Sequence, residues 1–197
     1  TPAVCIFGKS WDFHVTHILH TTLEENLRMI EQSVAFLKAN GREVIFDAEH
    51  FFDGFKNNRS YALEVLKAAH GAGADWLCLC DTNGGCFPHE IAAILGEVSP
   101  LYPNLGMHCH NDTGMAAANT VEGVRAGARM AQVTLSGFGE RCGGASLCTV
   151  APDLQLKLGY ECLPSDRLKR LRYTNITFHN IANLFPDHRA PYVGKYA

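Results

Sequence analysis

The stretch Leu105-Gly-Met-His-Cys-His-Asn-Asp-Thr-Gly114 combines two features that decide the fold: a strand-like apolar run and a polar, glycine-containing turn directly after it. Because side chains alternate across a β-strand, His108 and His110 share one face, whereas Met107 and Cys109 point to the other. Two imidazoles on rigid backbone can supply half of the coordination shell of a divalent metal ion. A His-x-His pair is a weak signal by itself, so its place in the chain has to support it.

A strand, a polar turn and a helix recur in this order at intervals of about 30 to 35 residues, which is the period of a βα repeat. Helix ends carry local signals: Thr22 and Glu25 have capping-box spacing, and Pro88 stands where a helix tolerates proline best. The predicted strands are 4–7, 43–46, 76–80, 105–110 and 132–135, and the predicted helices are 22–41, 60–70, 88–98, 115–126 and 147–158.

Five consecutive units of this kind predict an α/β protein with a parallel sheet, closed as a barrel or left open. A complete (β/α)8 TIM barrel has eight units and about 250 residues. We therefore expect residues 1–160 to form an incomplete barrel or an open sheet. A helical stretch at 166–184 and a proline-rich segment follow, which predicts a helical extension over 161–197 that begins a linker.

Catalytic groups in such folds gather at the carboxyl ends of the strands. Each predicted strand ends in polar or glycine residues. We expect six of these residues to lie on one rim: Lys9, Glu49, Asp81, Thr82, His108 and His110. Taken singly, each has the simpler interpretation of a solvated loop residue. Lys9, for example, could attract an anionic group or only contribute surface charge.

The composition, with 47% hydrophobic and 19% charged residues and a net charge of −3, is that of a globular domain. It offers no basic surface for nucleic acid and no apolar run long enough to span a membrane. Four of the eight cysteines lie in apolar runs, which favours buried, reduced thiols and a cytoplasmic location: Cys78, Cys80, Cys109 and Cys148. The sequence begins inside a predicted strand and without a start methionine, so we expect its N-terminus to be a truncation point within a longer protein.

Five segments at the strand ends carry a family resemblance when they are taken together. They are 7–15 (FGKSWDFHV), 47–54 (DAEHFFDG), 79–85 (LCDTNGG), 108–114 (HCHNDTG) and 137–143 (GFGERCG). The combination resembles the pyruvate carboxyltransferase-type TIM barrels, which include isopropylmalate, homocitrate and citramalate synthases and hydroxymethylglutaryl-CoA lyase. The segments around Trp11 and Phe51-Phe52 are most similar to the citramalate synthase branch. The resemblance implies that the chain covers strands four to eight of the barrel.

The resemblance also implies a metal-dependent acyltransferase that joins acetyl-CoA to an α-keto acid, with pyruvate giving (R)-citramalate in isoleucine biosynthesis. It assigns His108 and His110 to a divalent cation, which could be Mn, Mg, Zn or Co. It assigns Glu49 to the acid and base steps and Thr82 to the carboxylate of the keto acid. Asp81 stands at a characteristic acidic position and would shape the site electrostatically. The implied partners are small-molecule substrates and a second copy of the chain in a homodimer.

Three departures from the family pattern lead us to expect that this polypeptide alone is inactive. The family's first strand carries an Arg-Asp pair that completes the metal shell and holds substrate, and no segment here matches it. Gly144 replaces an asparagine near the metal, and the chain ends at Ala197 before a histidine-bearing segment. Two imidazoles without a carboxylate bind hard cations poorly.

Several alternatives stay open. The activity could be isopropylmalate synthesis, homocitrate synthesis or a lyase-type cleavage, and the chain could also be a non-catalytic scaffold, which Gly144 favours. Glu140 and Arg141 are interpreted as a structural ion pair. The histidines at 14, 17 and 20 are interpreted as solvated loop residues, and His50 as a loop or supporting residue.

Overall fold

The sheet consists of five parallel strands that follow one another in chain order. The computed structural model describes all residues from 1 to 197. The strands are β1 Ala3–Lys9, β2 Glu43–Glu49, β3 Trp76–Asp81, β4 Leu105–Cys109 and β5 Met130–Gln132, each hydrogen-bonded to the next. This confirms the predicted α/β architecture with a parallel sheet of five strands.

Helices connect the strands and cover one face of the sheet. The side chain of Thr22 accepts a hydrogen bond from the amide of Glu25 (3.1 Å), which satisfies a free N–H group in the first turn of its helix. Pro88 lies in a first turn as predicted. The helices are α1 Asp12–His17, α2 Leu23–Ala39, α3 Phe51–Asn57, α4 Arg59–Gly71, α5 Pro88–Val98, α6 Ala116–Arg125, α7 Leu147–Pro152 with a π-helical continuation Asp153–Lys157, α8 Ser165–Leu168 and α9 Leu171–Ala182.

The alternation of side chains along the strands separates a buried face from an open face. Val44, Phe46 and Ala48 of β2 are fully buried beneath the helices, together with apolar residues of β3 and β4. Full burial of a side chain such as Phe46 contributes about 1.5 to 3 kcal/mol. The alternate residues Asp47 and Glu49 are half-buried and belong to the open face. Polar groups of neighbouring strands can therefore meet on the open face.

The short helices α1 and α3 are absent from the sequence prediction, because elements of six and seven residues are too short to establish helical periodicity. Helix α3 packs directly on the loop after β1. A Cβ atom built at Gly54 would lie 2.2 Å from the carbonyl oxygen of Ser10, so only glycine permits this approach. The contact holds the carboxyl ends of β1 and β2 side by side.

The fifth strand is shifted from its predicted position. It covers Met130–Gln132 instead of 132–135, and Leu135–Gly137 forms a 3₁₀ turn. The chain leaves the sheet after the strand because the amide of Thr134 donates to the carbonyl of Ala145 (3.1 Å) instead of extending the ladder with β4. The apolar residues at 133 and 135 thus belong to a loop.

The segment after residue 160 packs against the fifth unit of the sheet. It contains the two helices α8 and α9 instead of the single helix predicted over 166–184. Leu171 and Val193 form a small buried cluster with Cys148. Phe178 packs edge-on against Phe138, with ring centroids 5.0 Å apart. The division of the chain at residue 160 stays a prediction.

Two expectations from the composition can be compared with the structure. All eight cysteines are free thiols, and the four expected in the interior are buried: Cys78, Cys80, Cys109 and Cys148. None of the helices has the length and apolar character needed to cross a membrane.

Candidate metal centre

His108 and His110 turn their rings toward each other at the carboxyl end of β4. Their Nε2 atoms are 3.3 Å apart, and the His110 side chain is almost completely buried. A cavity of about 250 Å³ lies beside the two rings and is also lined by Gln132, Glu140 and Gly144. Burial and the neighbouring His108 lower the pKa of His110, which favours the neutral ring that a metal ion requires.

The spacing of the two nitrogens fits two ligands of one metal ion. Two nitrogens that are each about 2.1 Å from an ion lie about 3.0 to 3.4 Å apart in tetrahedral or octahedral geometry. The observed separation of 3.3 Å falls in this range. The chain contains no cluster of three or more His, Cys, Asp or Glu side chains that could hold a metal ion. The two imidazoles therefore fit as part of a coordination shell and do not complete it.

Gly144 lies directly opposite His110, with which it forms an isolated antiparallel bridge. A Cβ atom built at Gly144 would meet only the carbonyl oxygen of Cys109, at an ordinary contact distance of 3.5 Å. The backbone of Gly144 is not in the left-handed region, so a side chain is tolerated there. The position can thus hold a side chain that reaches into the cavity.

We expect the Gly144→Asn substitution to raise the affinity of the chain for Zn²⁺ or Co²⁺ about tenfold, or ~1.4 kcal/mol, because it adds an amide oxygen beside the two imidazoles. Calorimetric titration of the purified chain measures this change. Gly71→Asn is a matched control, because Gly71 is exposed and a Cβ there meets nothing within 4 Å. An unchanged affinity in a correctly folded Gly144→Asn variant would show that position 144 does not face the ion.

Glu49 lies at the end of β2 and forms an ion pair with Lys9 at the end of β1. The two residues are direct partners in the parallel register of these strands. Both side chains are about three-quarters or more buried, with relative exposures of 24% for Glu49 and 15% for Lys9. Lys9 is therefore not a free surface charge, and it fixes the position of the Glu49 carboxylate.

Thr82 lies in the turn after β3 and is tied to the end of β2. Its Oγ1 atom accepts a hydrogen bond from the amide of His50 at 2.8 Å.

His50 has a left-handed backbone conformation with φ of 58°. Its ring is buried and packs on the ring of His14, with the two centroids 4.1 Å apart. His14 also stacks on Trp11, so its interpretation as a solvated loop residue is wrong. The reason is that residues 12–17 form α1 and turn this ring inward.

Asp81 is completely buried and faces the helices, on the side of β3 opposite to the rings of the two histidines. Its carboxylate accepts hydrogen bonds from the amides of Gly85 (3.2 Å) and Cys86 (3.3 Å) and from the side chain of Asn119 (3.4 Å). Burial raises the pKa of Asp81, although the two amides oppose this effect. Asp81 thus organises the turn that contains Thr82, and it does not share the open rim with the other candidates.

A family model described as HMGL-like matches residues 1–183, which is most of the chain. The chain belongs to the HMGL-like family. Its relatives include the (R)-citramalate synthases of Aquifex aeolicus, 53% identical over 100% of this chain and 38% of that protein, and of Synechocystis sp., 50% identical over 98% and 37%. The chain therefore spans less than two fifths of the length of these relatives. The family resemblance predicted from the motifs is confirmed.

A solved structure supports the same fold. The crystal structure of the Bacillus subtilis HMG-CoA lyase matches 98% of this chain and 66% of its own chain, with a TM-score of 0.82 and 16% sequence identity. At this identity the likeness concerns the fold alone. It agrees with the interpretation of the five-stranded sheet as part of a TIM barrel.

In this HMGL-like chain, Arg141 fastens the loop that borders the cavity. Its guanidinium group donates two hydrogen bonds to the carboxylate of Asp112 (2.8 and 2.9 Å) and one to the carbonyl of Thr82 (2.6 Å). The predicted Glu140–Arg141 ion pair is wrong, because the left-handed backbone of Arg141 turns its side chain toward the β3 and β4 loops. Arg141 thereby connects three loops around the candidate site.

We expect Arg141→Ala to loosen the loop and to speed hydrogen exchange of the Gly144 amide by about fivefold at most, since the ion pair is partly exposed. This amide bonds to the carbonyl of Gly137 within the loop. Arg125→Ala is the control, because Arg125 pairs with Glu122 on the exposed side of α6. Equal exchange rates in wild type and Arg141→Ala would exclude the fastening role.

Gln132 and Asp47 also belong to the site, although neither is among the candidates that the strand ends indicate. Gln132 accepts a hydrogen bond from Nδ1 of His108 (2.8 Å) and donates one to the carboxylate of Asp47 (2.7 Å). Burial raises the pKa of Asp47, and the hydrogen bond from Gln132 opposes this effect. Strand alternation places Asp47 on the same face as Glu49, so the sequence alone could have identified Asp47 as a site residue. The contact between Asp47 and Gln132 cannot be predicted from a local pattern, because the two residues are 85 positions apart in the sequence.

Proposed function

We propose that this chain is the metal- and keto-acid-binding part of an (R)-citramalate synthase, an enzyme that condenses acetyl-CoA with pyruvate and releases CoA. The observation that carries the proposal is the pair of Nε2 atoms 3.3 Å apart at the end of β4. It occurs in a chain that is 50 to 53% identical to proteins with this name. His108 and His110 are the metal ligands in this proposal.

The condensation requires an electrophilic keto carbonyl and a base that removes a proton from the methyl group of acetyl-CoA. A divalent cation held by the two imidazoles would polarise the carbonyl oxygen of the keto acid. Glu49 provides the carboxylate for the acid and base steps, and Lys9 orients it. The hydroxyl of Thr82 accepts from the His50 amide, so its own hydrogen is free to bind a carboxylate oxygen of the keto acid.

Asp81 acts indirectly in this proposal, by holding the turn that contains Thr82 through the amides of Gly85 and Cys86. The metal belongs to the group of Zn, Co, Mn and Mg. Imidazole ligands favour Zn and Co, whereas Mn and Mg need additional oxygen ligands. We further propose a homodimer, in accordance with the family resemblance.

The function is tested with the gene product that contains this chain, by following acetyl-CoA-dependent release of free thiol. Pyruvate, 2-ketoisovalerate and 2-ketoglutarate are supplied separately, and we expect the highest kcat/KM with pyruvate. A preference for one of the other acids would assign a sister activity instead. Absence of release with all three would support a non-catalytic scaffold.

Residues 1–197 alone are expected to release no thiol with any acceptor, because two imidazoles do not form a complete metal shell. The same assay on the purified chain tests this expectation. Acetyl-CoA-dependent release by the chain itself would contradict it and would show that residues 1–197 contain all groups that the reaction needs.

A further inference from the structure

We infer that Gln132, held by Asp47, is a positioning residue that fixes the tautomer of His108 and directs the lone pair of His108 Nε2 toward His110 and the cavity. This inference rests on the proposed function, because the metal ion that His108 would bind is part of that proposal. The supporting structure is a chain of two hydrogen bonds across the open face of the sheet. It runs from Asp47 on β2 through Gln132 on β5 to His108 on β4.

The orientation of the Gln132 amide is determined by its partners. An ionised carboxylate only accepts hydrogen bonds, so the group that faces Asp47 at 2.7 Å has to be the NH₂ of Gln132. The amide oxygen of Gln132 therefore faces Nδ1 of His108 at 2.8 Å. Because this oxygen also only accepts, Nδ1 has to bear the hydrogen.

A neutral imidazole with its hydrogen on Nδ1 has its lone pair on Nε2. The Nε2 atom of His108 is the one that lies 3.3 Å from Nε2 of His110. His108 is thus prepared to bind a metal ion before the ion arrives. A histidine ligand whose other nitrogen donates to an oxygen acceptor is the common arrangement in metal sites.

No hydrogen bond fixes the tautomer of His110 in this way. Its Nδ1 atom is buried and has no hydrogen-bond partner. In the absence of metal, the protein group that faces the lone pair of His108 Nε2 is Nε2 of His110, which donates to it when it bears the hydrogen. Ligation by His110 then requires its hydrogen to be on Nδ1 instead. Of the two imidazoles, His108 is therefore the one whose geometry the surrounding protein sets in advance.

The register of the sheet makes this arrangement possible. Gln132 is the parallel-register partner of His108, so the two side chains emerge next to each other on the same face. Asp47 reaches the same point from β2, and the thiol of Cys5 on β1 lies 3.8 Å from the Gln132 nitrogen. Both amide groups of Gln132 thus have partners, which restricts rotation of the side chain.

The tautomer can be measured directly by ¹⁵N–¹H correlation spectra of the imidazole rings, recorded on the metal-free chain at about pH 8, where neutral histidine dominates. We expect His108 to have hydrogen on Nδ1 and a lone pair on Nε2. Gln132→Leu is expected to remove this preference, and so is Asp47→Leu. Asp47→Asn is expected to retain it, because an asparagine oxygen still accepts from Gln132. Gln32→Leu, at an exposed position of α2, is the matched control and should change nothing.

Metal affinity provides the second readout. Gln132→Leu is expected to lower the affinity for Zn²⁺ about 10- to 100-fold by calorimetric titration, whereas Gln32→Leu should leave it unchanged. The inference is overturned if the wild-type spectrum shows hydrogen on Nε2 of His108, or if the tautomer is the same in Gln132→Leu. The wild-type spectrum decides which nitrogen of His108 bears the hydrogen, and the Gln132→Leu spectrum decides whether Gln132 sets that tautomer. If the gene product that contains this chain binds no metal ion, the proposed function fails, while the spectra still decide the inference.

Discussion

Alanine at position 108 or 110 is expected to lower the affinity of the chain for Zn²⁺ or Co²⁺ by about 100-fold or more. The change removes one of two imidazoles whose Nε2 atoms are 3.3 Å apart, and no third His, Cys, Asp or Glu side chain lies close enough to replace it. Residues that only orient a ligand typically contribute 10- to 100-fold, so loss of a ligand should exceed the effect of Gln132→Leu.

The measurement is calorimetric titration of His108→Ala and His110→Ala beside the wild-type chain. His89→Ala is the control, because this exposed histidine stacks on Phe87 outside the cavity. We expect both variants at the site to lose binding and the control to keep it. Wild-type affinity in His108→Ala would remove the candidate site from the proposal.

Asp81→Ala is expected to lower the free energy of unfolding by about 1 to 3 kcal/mol. The substitution leaves the buried amide of Cys86 without an acceptor, which costs about 1 to 3 kcal/mol, and it also removes the acceptor of the more exposed Gly85 amide. Part of this loss is offset, because burial of the carboxylate is itself unfavourable and raises the pKa of Asp81. Urea unfolding measures the difference from the wild-type chain.

Asp166→Ala is the control for this prediction, since its side chain is 72% exposed and should change stability by less than about 0.5 kcal/mol. The pH dependence adds a second check. A carboxyl group with a raised pKa in the folded state stabilises the protein below its ordinary pKa and loses this contribution as the pH rises through the raised value. The advantage of wild type over Asp81→Ala should therefore shrink over that range. A difference below about 0.5 kcal/mol at low pH would contradict the structural role of Asp81.

The strands and long helices could be predicted because local patterns determine them. The apolar runs at 43–46 and 76–80 lie inside β2 and β3, and the period of 3.6 residues identifies α2, α4 and α5. The apolar run predicts the fifth strand two residues too late, because the hydrogen bond between Thr134 and Ala145 removes apolar residues from the sheet. No local sequence pattern predicts this contact between Thr134 and Ala145.

The site was only partly predictable for the same reason. Alternation along β4 places His108 and His110 on one face, and the structure brings their rings together. The same rule places Asp81 on the opposite face of β3, although the shared strand end suggested a common rim. The partner of Arg141 depends on a left-handed backbone and on a loop 29 residues away, and neither is visible in the sequence.

The central claim is that His108 and His110 hold one divalent ion between them. It is tested most directly by a crystal structure of the chain with Co²⁺ or Zn²⁺ and an anomalous difference map at the absorption edge of the metal. We predict one peak that lies about 2.1 Å from the Nε2 atom of each ring. A peak bound elsewhere, or none at these rings under saturating metal, would contradict the claim.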